Sequence, residues 1–279
     1  MQFIDTHVHL WDLANNINNW VVNGNEEHLK RNYTVDDYCN IYQFSDGIVT
    51  VESVDGASSL TEVKWIYEHA KTKMPNIKHI AYIDMTQGST QFEAKLSEFK
   101  QYNFVIGFRD IMSFSQNSSY SPCNNDITLD KLKLDNLKYN LEILAQNNYI
   151  FNCQMYPHQL LRVGNIIANS NVKCIIDHCG LPELNNSQTK NEWVDMLCEY
   201  SKFAKFKISG VDINNNQDDI IEICQILIKT IQIDNLFIGS NFPVSDFEVI
   251  KCLYETLKKL LSRCDLDNLL ISNAETYFF

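Results

Sequence analysis

Arginine is scarce in this sequence. Arg31, Arg109, Arg162 and Arg263 are the only four among 279 residues. Basic residues number 23 against 35 acidic ones, for a formal charge of -12. Nucleic acid needs a basic footprint, and an anionic membrane surface attracts the same charges. Neither partner fits this balance. No run of about 18 apolar residues occurs, so no transmembrane helix is expected. The opening residues Met1-Gln2-Phe3-Ile4-Asp5 show neither the basic nor the apolar stretch of a secretory leader. No CxxC occurs among the nine cysteines, which run from Cys39 to Cys264. An odd count without paired spacing is not a disulfide framework in a chain of this length. The expectation is reduced thiols in a cytoplasmic protein, mostly buried as small apolar side chains.

What is present is material for a core. Hydrophobic residues make up 45% of the chain, which argues against disorder and suits one large domain or two modest ones. Apolar, β-branched runs recur at Phe3–His9, Gly47–Val54, Ile77–Met85, Phe104–Ile111, Tyr149–Tyr156, Val172–Gly180, Ala204–Val211 and Leu236–Val244. Several are almost continuously apolar, as strands buried on both faces are. Amphipathic helical stretches lie between them, at Leu60–Lys73, Gln91–Tyr102, Leu132–Asn147, His158–Ala168, Asn191–Phe203, Asp218–Thr230 and Asp246–Leu261, with a last one over Leu266–Tyr277.

Eight strands alternating with helices predict parallel βαβ units, and the count in this length matches a (β/α)8 barrel. The alternative is an open doubly wound sheet. Its usual phosphate-binding signatures, GxGxxG and GxxxxGK[ST], follow none of the strands. The reading is a single α/β domain over residues 1–279. Two polar segments, Asp12–Asp46 and Ser113–Asp126, follow strands one and four. In a barrel, such loops stand at the catalytic face, so both are candidate covers for a substrate.

Strand one ends in Ile4-Asp5-Thr6-His7-Val8-His9. Side chains two apart on a strand share a face, so His7 and His9 suit one metal ion. The pair alone is a weak signal; its place at a strand's C-terminal end strengthens it. Strand six ends in Asp177-His178-Cys179-Gly180, adding a third imidazole and a candidate metal set of His7, His9 and His178.

These pieces resemble the amidohydrolase superfamily, in the lactone-hydrolase branch that includes fuconolactonase and 2-pyrone-4,6-dicarboxylate lactonase. The likeness runs nearly end to end. It covers Ile4–Asp12, Glu52 with Glu62-Val63-Lys64-Trp65, Gly107-Phe108-Arg109, Tyr156-Pro157-His158-Gln159, Asp177-His178-Cys179-Gly180-Leu181-Pro182, Lys207-Ile208-Ser209-Gly210, Gly239-Ser240-Asn241-Phe242-Pro243-Val244, and Asn273-Ala274 with Tyr277. The resemblance implies a distorted barrel of the metal-dependent-hydrolase type. It implies water attack on the carbonyl of a small acidic or sugar-derived lactone, with or without one divalent ion (zinc or manganese). Where the superfamily has a strand-five Lys or Glu ligand, this sequence has Gln154, so a two-metal site is not expected.

One departure bears on mechanism. The lactonases carry Asp at the position of Asn241, and an amide cannot act as a general base. Three escapes are open: a histidine of the rim as base, Asp246 reaching back, or ligand binding without hydrolysis. A related subgroup shares Ser-Asn-Phe-Pro-Val and Tyr-Pro-His-Gln, which makes the Asn a subgroup trait.

The expected catalytic residues are therefore His7, His9, His178 and Asn241. Arg109 is the expected carboxylate clamp; its structural alternative is an ion pair with Asp110 or another rim acid. His158, Glu52 and Tyr156 are further substrate-binding candidates. Against these stand a helix-start role for His158 and a salt-bridge role for Glu52, as for Asp84. Trp11 and Trp65 read as packing. Cys179 lies beside His178. Rival functions are a decarboxylase of the same superfamily and a non-catalytic barrel that binds a small organic acid. The expected partner is a small molecule, and assembly into a homo-oligomer is left open.

Overall fold

In a computed structural model, residues 2–15, 18–42, 45–54, 56–213 and 215–279 are described. All eight expected strands form, in order: β1 Phe3–Val8, β2 Ser45–Val51, β3 Ile77–Tyr82, β4 Val105–Ile111, β5 Ile150–Gln154, β6 Lys173–Ile176, β7 Ala204–Ile208 and β8 Leu236–Ile238. Each pairs in parallel with its successor in one eight-stranded sheet. The sheet curls into a (β/α)8 barrel whose seam is stitched by residues past the strand ends. Asn241 N donates to His7 O at 2.9 Å and His9 N to Phe242 O at 2.7 Å. The two chain segments that carry the candidate site therefore also close the barrel.

Most apolar runs outlast their strands. Val172–Gly180 and Leu236–Val244 shorten to Lys173–Ile176 and Leu236–Ile238. The reason is burial beyond the ladder: Leu181 and Phe242, past the strand ends, are almost fully enclosed. Periodicity reports burial, not hydrogen bonding.

The segment after β1 holds two short helices, α1 Asn19–Asn23 and α2 Val35–Ile41; residues 16, 17, 43 and 44 of that loop lie outside the described set. The helices that follow β2 to β8 are α3 Ser59–His69, α4 Ser89–Phe99, α5 Lys131–Gln146, α6 Pro157–Asn169, α7 Ser187–Tyr200, α8 Gln217–Thr230 and α9 Phe247–Leu260. The expected last helix is divided into α10 Arg263–Asp267, a π-helical turn, and α11 Asn273–Phe278.

The main core lies between sheet and helices, with Trp193, Phe92, Phe108 and Phe151 fully enclosed. A smaller cluster of Ile4, Val51, Ile80, Ile150, Ile175 and Phe237 fills the barrel, and Ala274 and Phe278 of α11 pack against it. That plug is at the end opposite the strand C-termini, so chemistry is confined to the other mouth. The cysteines are all free, but only Cys153, Cys174, Cys179 and Cys224 are buried; Cys39, Cys198 and Cys264 are exposed. Among the described residues no helix is long and apolar enough to cross a membrane.

Candidate active site

His7 and His9 lie side by side, as their spacing requires, with Nε2 atoms 3.2 Å apart. His9 Nδ1 donates to the Val51 carbonyl at 2.9 Å, so its Nε2 carries a bare lone pair when the ring is neutral. His7 Nδ1 lies 3.5 Å from Asp177 Oδ1. His178 lies against His7 with ring centroids 4.5 Å apart and planes tilted by 48°, and its Nδ1 meets Ser209 Oγ at 3.1 Å. His9 and His178 are thus held from behind by hydrogen bonds at Nδ1, while His7 Nδ1 is buried beside Asp177 without a hydrogen bond. Burial pushes His7 and His9 well below the ordinary imidazole value and His178 down to about 4. All three rings are neutral near pH 7.

The backbone at this mouth is unusual. His178, Cys179, Leu181 and Asn241 all have φ between 51 and 58°, a region that costs an L-residue free energy and that clusters at functional sites. Gly210, at φ +52°, passes so close that a Cβ there would sit 2.4 Å from His178 Nδ1. A Cβ on Gly239 would sit 2.5 Å from His7 Cβ. Two backbone strands lie against the histidines with no room for a methyl group.

Arg109 is buried at the same mouth, but it is not a free clamp. Its Nε donates to Glu52 Oε1 and its Nη2 to the Glu52 carbonyl, both at 2.8 Å. Nη1 is held more loosely, 3.2 Å from Gln154 Oε1 and 3.4 Å from both Asp177 Oδ2 and His7 Nε2. The partner acid is Glu52, not Asp110, whose Oδ2 accepts from Met85 N instead. Glu52, a candidate for holding substrate hydroxyls, is engaged through Oε1 in this ion pair.

Two charged residues went unassigned at the level of sequence. Asp177 and Lys207 are fully enclosed, with Lys207 Nζ 3.2 Å from Asp177 Oδ1. Asn152 Nδ2 donates to the same oxygen at 3.0 Å. Burial alone would raise the Asp177 carboxyl, but Lys207, His7 and Arg109 hold it well below the usual range. Lys207 breaks the apolar run of β7, a signal that could have marked it. Arg109 and Lys207 are paired with Glu52 and Asp177, so among the described residues neither cation at the rim is free of a carboxylate partner.

The other candidates sit further out. Tyr156 is buried, but its hydroxyl fastens the β4–α5 loop, meeting Ser118 Oγ at 2.6 Å and the Tyr120 carbonyl. That loop lays the Tyr120 hydroxyl on Gln154 Nε2 at 2.7 Å, so Ser113–Asp126 does cover the site and Tyr120 is its inner face. His158 is near the start of α6 and stacks on Tyr156. It faces an outer groove of about 390 Å³ lined by Asp126, Arg162, Glu183 and Glu192, not the histidine rim. Asp246 caps α9 by accepting from Glu248 N at 2.9 Å, which ties it away from the site. Asp84 holds a turn through Thr86. Trp11 and Trp65 pack in the core.

Does the donor set fit a metal ion? The 3.2 Å between the His7 and His9 Nε2 atoms is what two ligands at about 2.0–2.1 Å from one ion would show. The rest does not fit. Among the described residues no group of three or more His, Cys, Asp or Glu side chains assembles as an ion site, so His178 does not complete the expected set. The strand-eight position offers an amide, and the Arg109 guanidinium lies 3.4 Å from the His7 nitrogen that an ion would need.

No family model matches the chain. A relative from Sinorhizobium fredii, the uncharacterized protein y4mH, is 21% identical over 99% of this chain and 97% of its own. Among solved structures, an amidohydrolase from Burkholderia multivorans crystallised with HEPES superposes with a TM-score of 0.81 at 19% identity, covering 100% of this chain and 99% of that one. A crystal form of an amidohydrolase from Burkholderia multivorans with bound zinc gives 0.81 at 18%, covering 100% and 99%. A probable 2-pyrone-4,6-dicarboxylic acid hydrolase from Acinetobacter baumannii with citric acid bound gives 0.69 at 16%, covering 100% and 99%. A 2,6-dihydroxybenzoate decarboxylase from Rhizobium gives 0.65 at 12%, covering 100% and 99%. These likenesses establish the barrel fold over the full length of the chain.

Proposed function

We propose that this protein is a hydrolase of the amidohydrolase type that opens a small, uncharged lactone, such as a sugar-derived one, by attack of water at the carbonyl. One arrangement carries the reading: two neutral imidazole Nε2 atoms 3.2 Å apart, beside a guanidinium whose charge is already balanced by Glu52 and Asp177. With no uncommitted cation at the rim among the described residues, a carboxylate-bearing substrate finds no clamp there; an ester carbonyl needs only a donor.

The loosely held Nη1 of Arg109 donates to the lactone carbonyl oxygen, where negative charge develops. The water oxygen bonds to the carbonyl carbon while the carbonyl π pair moves onto its oxygen. The water proton passes to the His7–His9 pair, shared between the facing Nε2 atoms. Asp177, kept ionised by Lys207, stabilises the imidazolium as it forms. Collapse of the tetrahedral species breaks the ring C–O bond. The departing oxygen takes the proton from the imidazole, and the product is the open hydroxy acid.

A bound zinc or manganese ion is the second reading, favoured by the convergence of His7 and His9 and by the zinc in the Burkholderia structure. The present donor set falls short of it, so no step above runs through an ion. The test is a panel of neutral sugar lactones and carboxylate-bearing lactones, followed by acid release with chelator and with added zinc. Turnover of neutral lactones in chelator is expected. Turnover of only the carboxylate-bearing members would reject the substrate class, and activity that needs zinc would favour the ion. Carbon dioxide release from hydroxybenzoates would favour a decarboxylase. A ligand that raises the melting temperature without turnover would favour a binding barrel.

A further inference from the structure

Asn241 is the point at which the sequence departs from the lactonases, and its side chain is not left alone. Its Nδ2 donates to Ser245 Oγ at 2.9 Å, and Ser245 Oγ donates to Asp212 Oδ1 at 2.7 Å. The direction of this chain is fixed by counting hydrogens. A serine hydroxyl has one, and a carboxylate can only accept it. The atom of Asn241 that meets Ser245 must then be the amide nitrogen. Its carbonyl oxygen therefore points elsewhere, and no donor among the described residues reaches it. Asn241 and Ser245 are buried and Asp212 is half-buried in the loop after β7. Two βα loops, after β7 and after β8, meet in this chain at the mouth that holds the histidines. The Asn241 backbone, at φ +57°, is pinned by its bond to His7 O and by the Ser245 N–H donating back to its carbonyl at 3.1 Å.

We propose that Asp212 is the carboxylate that stands in for the missing strand-eight acid. It is displaced by one hydroxyl: acting through Ser245, it orients and polarises the Asn241 amide so that Oδ1 accepts a hydrogen bond from the attacking water. Asp212 and Ser245 are positioning residues. The proton itself still goes to the histidine pair, because an amide cannot take it. This role rests on the hydrolase reading above; the arrangement of the Asn241 amide does not. An aspartate at 241 without further change would set two carboxylates on one hydroxyl, which like charges disfavour. Strand eight and the β7 loop are thus matched, with one negative charge between them.

The experiment has arms that do not need a substrate. In 15N-labelled protein, the Asn241 side-chain NH2 is expected to exchange slowly with water, and Asp212→Asn and Ser245→Ala are each expected to speed that exchange by about tenfold or more. Ser245→Thr, which keeps the hydroxyl, restores the slow rate. In a thermal double-mutant cycle at pH 7, Asn241→Asp alone lowers the melting temperature, and adding Asp212→Asn recovers most of the loss. On a lactone that the wild type opens, Asp212→Asn lowers kcat by about tenfold or more with KM little changed, and Ser245→Thr retains more activity than Ser245→Ala. Unchanged amide exchange in Asp212→Asn, or strict additivity of the two melting-temperature shifts, overturns the proposal. A wild type that opens no lactone sinks the hydrolase reading and the attacking water with it, while the exchange and thermal arms still decide whether Asp212 sets the Asn241 amide.

Discussion

Arg109 and Glu52 are joined twice, side chain to side chain and side chain to backbone, both at 2.8 Å and both out of reach of water. The pair locks the end of β2 to the end of β4 beneath the histidines. Removing one member strands a buried charge, which costs about 3–5 kcal/mol. Glu52→Gln is therefore expected to lower the unfolding free energy by that order in urea titrations. The double change Glu52→Gln with Arg109→Met leaves no charge stranded and is expected to be the milder of the two. A single variant that loses less than the double would show that the pair is not what holds these strand ends.

The strands were legible because each is an apolar run with turn residues on either side, and the eightfold alternation left little choice of topology. His7 and His9 were legible because a two-residue spacing on a strand forces a shared face. The charge state of Arg109 was not. A sequence shows that an arginine stands at a strand end; it does not show that Glu52, 57 positions away, takes two of its donors. Asp212 was hidden for the same reason: its link to Asn241 passes through a loop on another strand. His158 is the opposite case, a residue in a recognisable motif that stacks on Tyr156 and lines the outer groove beside Asp126 and Arg162.

Glu62 gives the fold a pH dependence. Its Oε1 accepts from Ser53 N and Oγ, both at 2.8 Å, while Oε2 lies 3.8 Å from His79 Nε2. Thr50 Oγ1 spends its hydrogen on the Lys78 carbonyl. His79 Nδ1, 3.0 Å from that hydroxyl, must then donate to it, which leaves a bare lone pair on Nε2 facing Glu62. Burial raises the Glu62 carboxyl to about 8 from an ordinary 4.5, so at pH 7 it is a neutral acid. Between those two values the folded state holds a proton that the unfolded state releases. This stabilisation is fully present below pH 4.5 and is lost as pH rises toward 8. Asp5 and Asp110, raised to about 6 and about 7, act with the same sign at lower pH. His178, lowered to about 4, acts with the opposite sign below 6.5. From pH 7 to 8 the Glu62 contribution dominates this group, at no more than about 1.4 kcal/mol per pH unit. Glu62→Gln, whose amide can donate to His79, is expected to flatten the stability profile from pH 7 to 8. An equal slope in wild type and variant would remove Glu62 as its source.

Gly210 is a fold requirement set by the active site. A methyl group there would lie 2.4 Å from His178 Nδ1 on a backbone with φ +52°. Either His178 or the end of β7 must move. Gly210→Ala is expected to lower stability by about 1–3 kcal/mol, from strain and displaced packing together. It also breaks the His178 bond to Ser209. The effect on ligand binding should exceed that of Gly88→Ala, where an added Cβ meets only the far end of Gln91 at 3.9 Å. Comparable losses in the two variants would mean that the close approach to His178 has no consequence.

The loop over the site is held at its ends and at its middle by different residues, so the two can be loosened separately. Gln159 clamps the ends: its Oε1 accepts from Phe114 N at 2.9 Å, and its Nε2 donates to Met112 O at 3.0 Å and to Asp126 Oδ1 at 2.9 Å. Tyr156 holds the middle through Ser118 and the Tyr120 carbonyl. Removing one hydroxyl costs about 1 kcal/mol of stability but leaves the clamps intact. Tyr156→Phe is thus expected to speed amide hydrogen exchange around residues 118–121 without changing it at 112–114. Gln159→Leu is expected to speed both. Since Tyr120 bonds Gln154 beside Arg109, loosening the middle also opens the route to the rim. Ligand association should therefore quicken in Tyr156→Phe, and dissociation should quicken more, because the same loop must close over what has bound. If exchange in Tyr156→Phe rises equally at both ends and middle, the loop moves as one piece and the phenol is only one of several equivalent ties.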